Sequence, residues 1–373
     1  MLSTRVIAAV AGAALASGAL SASAQPEYII IDLGVVDPGD AFSQGVGISP
    51  SGVAVGRSLG ASNAGFTWTL SGGLVQLDNL PGRTFHQANG ANSAGQAVGT
   101  ATTTVFGSAP LPVIWNGTTS SQLALPAGEG AGRAWDINNN GVAVGSVGGG
   151  VTQFASYWDT NGHNTITATT AGGAYMVEAY DINDAGQIVG HGIDPNNLAR
   201  NVALMYDLTT GVLEEVPALA GDNGGIAFGL SESGVVTGSS SFNQSGGLAF
   251  AWDTTNDGLT EIPLPPAASS ASGRGANSNG WVVGNAGGQF AVPWLFDGTD
   301  TYSIQELIDP NSGWDLAMNT SSSALGISED GTIVGTGLIN GQTHAYAAVL
   351  VPAPASATLL ATGGLFAARR RRK

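Results

Sequence analysis

Short apolar segments alternate with polar turn residues along almost the whole chain. Runs rich in Val, Ile, Ala and aromatic residues are bounded by Gly, Asn, Ser and Asp, as in the stretch from Ala134 to Gly145. No segment between the two termini shows the sustained 3.6-residue periodicity of an amphipathic helix. The pattern therefore predicts an all-β protein built from many short strands and tight turns.

One pattern of hydrophobic and polar positions occurs seven times. It reads small residue, any residue, Gly or Asp, apolar, Asn or Ser, two residues, Gly, any residue, apolar, small or β-branched, Gly. The clearest copies begin at Ala134 and Ala179. The others begin at Gly45, Ala88, Ala227, Gly273 and Ala324. The first glycines of the seven copies are Gly52, Gly95, Gly141, Gly186, Gly234, Gly280 and Gly331, each followed four residues later by a second glycine.

Each copy is interpreted as a β-hairpin. The Asn or Ser side chain can accept a hydrogen bond from backbone two residues later and so open a turn. The first glycine takes the left-handed conformation that closes a three-residue loop with a bulge. The apolar run that follows is a short buried strand, and the second glycine marks a place where another backbone approaches closely.

The repeats predict a seven-bladed β-propeller. Successive first glycines are 43 to 51 residues apart, and aromatic and aliphatic segments after each hairpin supply a third and a fourth strand. Four strands in about 45 residues is the size of a propeller blade. The seventh copy lacks a fourth strand, whereas an orphan strand, Tyr28–Leu33, precedes the first copy. Pairing the two ends would close the ring and remove an exposed edge. An open β-solenoid is the alternative.

The two ends of the chain indicate export. Residues 1–24 have Arg5, an apolar run from Val6 to Leu20 and a small-x-small cleavage site, which is typical of a secretory signal peptide. An uncleaved anchor is the alternative. Residues 352–373 contain a proline motif, an apolar segment and a closing basic cluster. The apolar segment is short for a permanent membrane span, so we expect a transient membrane anchor that is processed. A nucleic-acid-binding tail is the alternative.

Charge separates the predicted body, residues 25–351, from the tail. The body has no lysine and five arginines against 27 acidic residues, a formal net charge of −22. Such a surface disfavours nucleic acid and anionic membranes as partners. The chain also has no cysteine, which excludes disulfides and thiolate metal sites.

The hairpin core and the His344-Ala345-Tyr346 segment resemble the HAF-type extracellular repeat of bacterial surface proteins. The C-terminus resembles the PEP-CTERM sorting signal, with Ala353 in place of the central Glu. The residues that carry this second resemblance are Pro352, Pro354, Arg369, Arg370, Arg371 and Arg372. The resemblance implies export to the bacterial envelope, processing by a membrane-embedded exosortase, and no known reaction.

No catalytic, cofactor or metal site is predicted. Asp136 begins a partial match to a calcium loop, but Val147 stands where the bidentate Glu is needed, and the Asp is interpreted as an optional turn residue. Trp135, Tyr180 and Phe228 precede the hairpin turns and are candidates for lining a ligand face that stacks sugar rings. The competing interpretation places them in the core.

Two functions remain from the sequence. The first is a non-enzymatic surface or matrix protein that uses its propeller for adhesion to polysaccharide or to another surface protein. Its other partners would be the export machinery and a sorting protease. The second is a carbohydrate-active propeller enzyme, a glycosidase or lyase, with clustered carboxylates of perturbed pKa in the central funnel.

Overall fold

A computed structural model describes residues 25–352 except 106, 108, 150–152, 243, 244, 267, 288–290 and 318. The signal peptide predicted for residues 1–24 and most of the predicted sorting signal lie outside the described residues. Pro352, the last of the described residues, is exposed.

The described chain forms seven antiparallel sheets, which are the seven blades of a propeller. It begins with β1 (Tyr28–Gly34). Blade 1 contains β2 (Phe42–Ile48), β3 (Ala54–Leu59), β4 (Ala64–Thr69) and β5 (Gly73–Gln76). Blade 2 contains β6 (Phe85–Ala91), β7 (Gln96–Thr102), β8 (Leu111–Asn116) and β9 (Thr119–Gln122). Blade 3 contains β10 (Gly132–Ile137), β11 (Ala143–Val147), β12 (Phe154–Asp159) and β13 (Gly162–Thr165).

The remaining blades follow the same order from the inside outward. Blade 4 contains β14 (Tyr175–Ile182), β15 (Gln187–Asp194), β16 (Asn197–Asp207) and β17 (Leu213–Glu215). Blade 5 contains β18 (Gly224–Leu230), β19 (Val235–Phe242), β20 (Ser245–Asp253) and β21 (Gly258–Glu261). Blade 6 contains β22 (Ser270–Ala276), β23 (Val282–Gly287), β24 (Val292–Phe296) and β25 (Thr301–Ser303). A connection with α1 (Ile304–Leu307) and β26 (Trp314–Asp315) then leads to β27 (Ser323–Ile327), β28 (Ile333–Ile339) and β29 (Gln342–Leu350).

Blade 7 is closed by the N-terminal strand. β1 pairs antiparallel with β29, from Tyr28 opposite Leu350 to Asp32 opposite Tyr346. The Nδ1 atom of His344 is 2.9 Å from a carboxylate oxygen of Asp32 and adds a side-chain contact to this seam. The predicted seven-bladed propeller closed by its first strand is therefore confirmed.

The repeated hairpin joins the two innermost strands of every blade. In blade 3 the Gly141 N–H donates to the Asn138 carbonyl at 3.1 Å, and the Asn138 side chain accepts from the N–H groups of Asn140 and Val142. All seven first glycines have positive φ, between +77° and +90°. These hairpin loops share one face of the propeller, which we call the turn face.

The turn residues also connect neighbouring blades. The buried Asn92 amide donates to the Asn138 carbonyl of the next blade, and the Asn138 amide donates in turn to Asn183. The same contact joins Asn277 to Ser328. The Asn of the repeat therefore caps its own turn and ties the blade to the next one. The sequence pattern predicts only the first of these roles.

The core lies between the blades and is filled largely from the third strands. The largest fully buried side chains include Phe66, Trp115, Phe250, Trp294 and Tyr346, one from each of five blades. The α1–β26 connection, which the sequence pattern did not predict, packs Ile304, Leu307 and Trp314 into the cluster around Tyr346.

Candidate functional site

The innermost strand of every blade contains a one-residue bulge at the same place in the repeat. A bulge bends its strand and re-aims a side chain. Here the extra residue is the second position of the repeat, where all seven copies have a different residue. Each of the seven bulged residues lines a cavity on the propeller axis: Val46, Asn89, Trp135, Tyr180, Phe228, Arg274 and Leu325.

The axial cavity has a volume of about 450 Å³, within the range of about 300–1,000 Å³ typical of small-molecule sites. Its walls are the inner strands, and toward the turn face they include Pro50, Asn139, Glu232 and Glu329. Asn139 is exposed there, so the cavity reaches the protein surface at the turn face.

Four of the bulged residues, from blades 3 to 6, form a continuous arc. The rings of Trp135 and Tyr180 meet edge-on with centroids 5.9 Å apart, and Tyr180 and Phe228 are 5.3 Å apart. The guanidinium carbon of Arg274 lies 4.0 Å from the centre of the Phe228 ring. We call Trp135, Tyr180 and Phe228 the aromatic arc.

Glu178 and His191 hold the arc in place from behind. The indole N–H of Trp135 donates to Glu178 at 2.7 Å, and the Tyr180 hydroxyl donates to the other Glu178 oxygen at 3.1 Å. The His191 ring stacks on Tyr180 with centroids 5.5 Å apart. Burial, followed by the nearby charge of Glu178, raises the pKa of Tyr180. The polar atoms of the arc are thus fixed, and its ring surfaces are held in one orientation.

Two carboxyl groups lie beside the arc. Asp136 and Asp181 occupy the position after the bulge, where the other five repeats have glycine. Their carboxyl groups hydrogen bond to each other, and Asp181 also accepts the Leu230 N–H at 2.7 Å. Burial, followed by repulsion from Asp181, raises the pKa of Asp136 well above its ordinary value. The interpretation of Asp136 as an optional turn residue is incomplete, because this residue precedes the turn and contacts the next blade.

The structure distributes the residues predicted from sequence between two regions. Trp135, Tyr180 and Phe228 come together in the cavity, whereas the seven turn glycines lie apart in their loops on the turn face. Pro354 and the terminal arginines lie outside the described residues.

Arg274, Glu178, His191 and the Asp136–Asp181 pair were not assigned to a site from the sequence. Arg274 holds the same repeat position as the three aromatic residues, so comparing that one position across the seven copies would have found it. His191 follows the second glycine of its copy, and its distance along the chain from Tyr180 conceals their contact.

Within the described part of the chain, no helix is long and apolar enough to cross a membrane. No cluster of three or more His, Asp and Glu side chains suited to a metal ion occurs among the same residues.

Comparison with known proteins identifies the fold. No family model matches the sequence, and no curated protein matches it. A streptogramin B lyase structure superposes with a TM-score of 0.53 at 13% identity, covering 87% of this chain and 98% of the lyase. An oligogalacturonate lyase from Vibrio parahaemolyticus gives 0.53 at 12% identity, covering 88% and 97%. The β-propeller domain of the Trilobed protease from Pyrococcus furiosus gives 0.51 at 8% identity, covering 83% and 94%. The chain is thus similar in fold to propeller proteins.

Proposed function

We propose that the chain is an exported bacterial surface or matrix protein whose propeller binds saccharide in the axial cavity without transforming it. The observation that carries the proposal is the aromatic arc, in which three adjacent blades each contribute one ring to the wall of the same cavity. Sugar rings present apolar C–H faces, and preorganised aromatic side chains bind such faces at little entropic cost.

The test is a glycan-array screen of the purified full chain, followed by calorimetry with each glycan that binds. Trp135→Ala should weaken binding of such a glycan at least tenfold, because it removes the ring at one end of the aromatic arc. Phe154→Ala is the matched control, since Phe154 is an exposed aromatic residue of the same blade that does not line the cavity. Equal affinities of the two variants would contradict binding at the aromatic arc, and an array with no binding would contradict saccharide binding itself.

The proposed location rests on the two termini. Export machinery would remove residues 1–24, and a membrane-embedded protease would cut near Pro352–Pro354 after the tail had paused in the membrane. The five terminal basic residues resist translocation, since a charge at mid-membrane costs about 2.5–3.5 kcal/mol on insertion scales. Mass spectrometry of the surface-located protein tests this step. Recovery of an intact Arg369–Lys373 end would show a simple tail anchor instead.

A carbohydrate-active enzyme is the second candidate, because two carboxyl groups, those of Asp136 and Asp181, line the axial cavity together. The two carboxyl groups hydrogen bond directly, whereas glycosidase pairs lie about 5 Å or more apart. A lyase would instead need a base at the substrate proton, and the Tyr180 hydroxyl, which donates to Glu178 and has a raised pKa, is poorly suited to that role.

The enzymatic alternative is tested by incubating the chain with plant and bacterial polysaccharides. New reducing ends would indicate hydrolysis, and absorbance from an unsaturated product would indicate elimination. Turnover that Asp136→Asn or Tyr180→Phe abolishes would replace the binding proposal. Binding without turnover would support it.

A further inference from the structure

One cationic side chain of the axial cavity has no anionic partner. Arg274 projects from the bulge of blade 6 into the cavity, and its Nε atom is buried without a hydrogen-bond partner. Among the described residues, no ion pair involves its guanidinium. Its close contact is the face of Phe228. Burial lowers the pKa of Arg274, which records the free-energy cost of a poorly solvated cation.

Two other arginines of the body, Arg57 and Arg200, are bonded to neighbouring side chains. Arg57 donates three hydrogen bonds to the side-chain oxygens of Gln44 and Gln87. Arg200 pairs with Asp194 and with Glu215. In a body with a formal charge of −22, carboxylates are abundant, yet none has been placed against Arg274. The guanidinium is therefore available to a ligand.

The carboxyl groups that line the cavity have hydrogen-bond partners other than Arg274. The hydrogen bond between Asp136 and Asp181 requires a proton on one of them, which reduces the charge of the pair. Glu232 accepts the Asp184 N–H at 2.9 Å, and Glu329 accepts the Ser278 N–H at 3.1 Å. These last two bonds keep Glu232 and Glu329 in the turns. At the level of the bulges, burial and the charge of Glu178 raise the pKa of Tyr180, and the charges of Arg274 and Arg133 partly oppose that shift.

We infer that the axial cavity takes an acidic saccharide, whose carboxylate pairs with Arg274 while its sugar ring packs against the aromatic arc. The inference rests on the proposed function and names its ligand class. A guanidinium binds a carboxylate through two parallel hydrogen bonds, and the contact gains strength where water is excluded. Phe228 supports the guanidinium from one side, with the guanidinium carbon 4.0 Å from the ring centre.

Three trisaccharides that share one backbone distinguish the effect of ligand charge on affinity from the effect of ligand shape. They are cellotriose, its C6-oxidised triuronate and the methyl ester of that triuronate, each titrated by calorimetry into the full chain in mild detergent. The triuronate should bind at least tenfold more tightly than the ester or cellotriose. Equal or tighter binding of the two neutral sugars would overturn the acidic class while leaving saccharide binding intact. No binding of any of the three would also overturn it, with the glycan array deciding the proposed function separately.

Variants locate the contact. Arg274→Gln should weaken triuronate binding at least tenfold and leave the affinity for cellotriose unchanged. Arg83→Gln is the matched control, because Arg83 lies in the loop before β6 and does not line the cavity. Arg274→Lys keeps the charge without the planar fork and should retain part of the preference for acid. If Arg274→Gln does not fold, the triuronate affinity of Arg274→Lys and the wild-type affinity for the methyl ester decide whether Arg274 contacts the carboxylate. Equal triuronate affinities of wild type and the position-274 variants would overturn the assignment.

Discussion

Replacing the second glycine of a hairpin by alanine tests the geometry of the inner strands. A Cβ atom built on Gly145 would lie 1.9 Å from the carbonyl oxygen of Arg133 on the neighbouring strand. The other six second glycines behave alike, with a carbonyl oxygen 1.9 to 2.1 Å away: Gly56, Gly99, Gly190, Gly238, Gly284 and Gly335. The bulge beside each of them bends the innermost strand over its neighbour, so the two backbones approach more closely than in a regular sheet.

The expected cost follows from that distance. An ordinary contact at this Cβ needs about 3.4 Å, so the Arg133 carbonyl would have to move by about 1.5 Å. Such overpacking costs about 1–3 kcal/mol, and each backbone hydrogen bond lost between the two inner strands adds about 1 kcal/mol. With one such bond lost, Gly145→Ala should destabilise by about 2–4 kcal/mol. At Gly141 φ is +77° and no backbone atom lies within 4 Å of an added Cβ, so Gly141→Ala should cost only the strain of a left-handed alanine, about 1–2 kcal/mol.

The assay is urea unfolding of the full chain, followed by tryptophan fluorescence and circular dichroism. Gly130→Ala is the control, because Gly130 has no positive φ and open space around its Cβ position. We expect the order of stability to be wild type equal to Gly130→Ala, then Gly141→Ala, then Gly145→Ala. If Gly145→Ala were as stable as Gly141→Ala, the close approach of the two inner strands would be wrong.

Three further predictions concern the ring and its titrating groups. Deleting Tyr28–Leu33 removes the outer strand of blade 7, so the chain should aggregate and lose its cooperative thermal transition; a variant that melts like wild type would contradict closure. Because the pKa of Asp136 is raised in the folded state, wild-type stability should fall as pH rises above the ordinary range for Asp, and Asp136→Asn should lose that dependence. If the urea midpoints of wild type and Asp136→Asn changed in parallel from pH 4 to 8, this prediction would be refuted. Burial lowers the pKa of His86 to about 4, so NMR titration should find it neutral at pH 5.5 and the fold should lose stability as pH falls from 6.5 toward 4. An NMR midpoint near 6.5 would count against that burial.

Much of the fold can be predicted from the sequence because each copy of the repeat contains the residues that form its own hairpin. The glycine pairs fix where chains turn and where backbones touch, and the orphan strand at Tyr28–Leu33 supplies what blade 7 lacks. The α1–β26 connection could not be predicted in this way. It occurs once, outside the repeat, and Trp314 is held there by contact with Tyr346 rather than by a local pattern.

The candidate site was predictable only in part. Trp135, Tyr180 and Phe228 stand out as aromatic residues at one repeat position. Glu178 and His191 do not, because Glu178 contacts Trp135 across two blades and His191 contacts Tyr180 across two strands of blade 4. The Asp136–Asp181 hydrogen bond also joins two blades, and nothing within one copy of the repeat predicts it.

The glycine pair and the variable second position of the repeat depend on each other structurally. A bulge on the inner strand points its extra side chain toward the axis, and the strand it bends must pass over a residue without a Cβ atom. The second glycine is therefore required wherever the bulge is kept, whatever side chain the bulge presents. Seven side chains can therefore vary around one cavity while the scaffold stays constant. This explains why the variable second position of the repeat carries the candidate chemistry. In this chain those positions combine three rings with one unpaired arginine, so specificity should change with substitutions at Arg274 or Trp135 and stability with substitutions at Gly145.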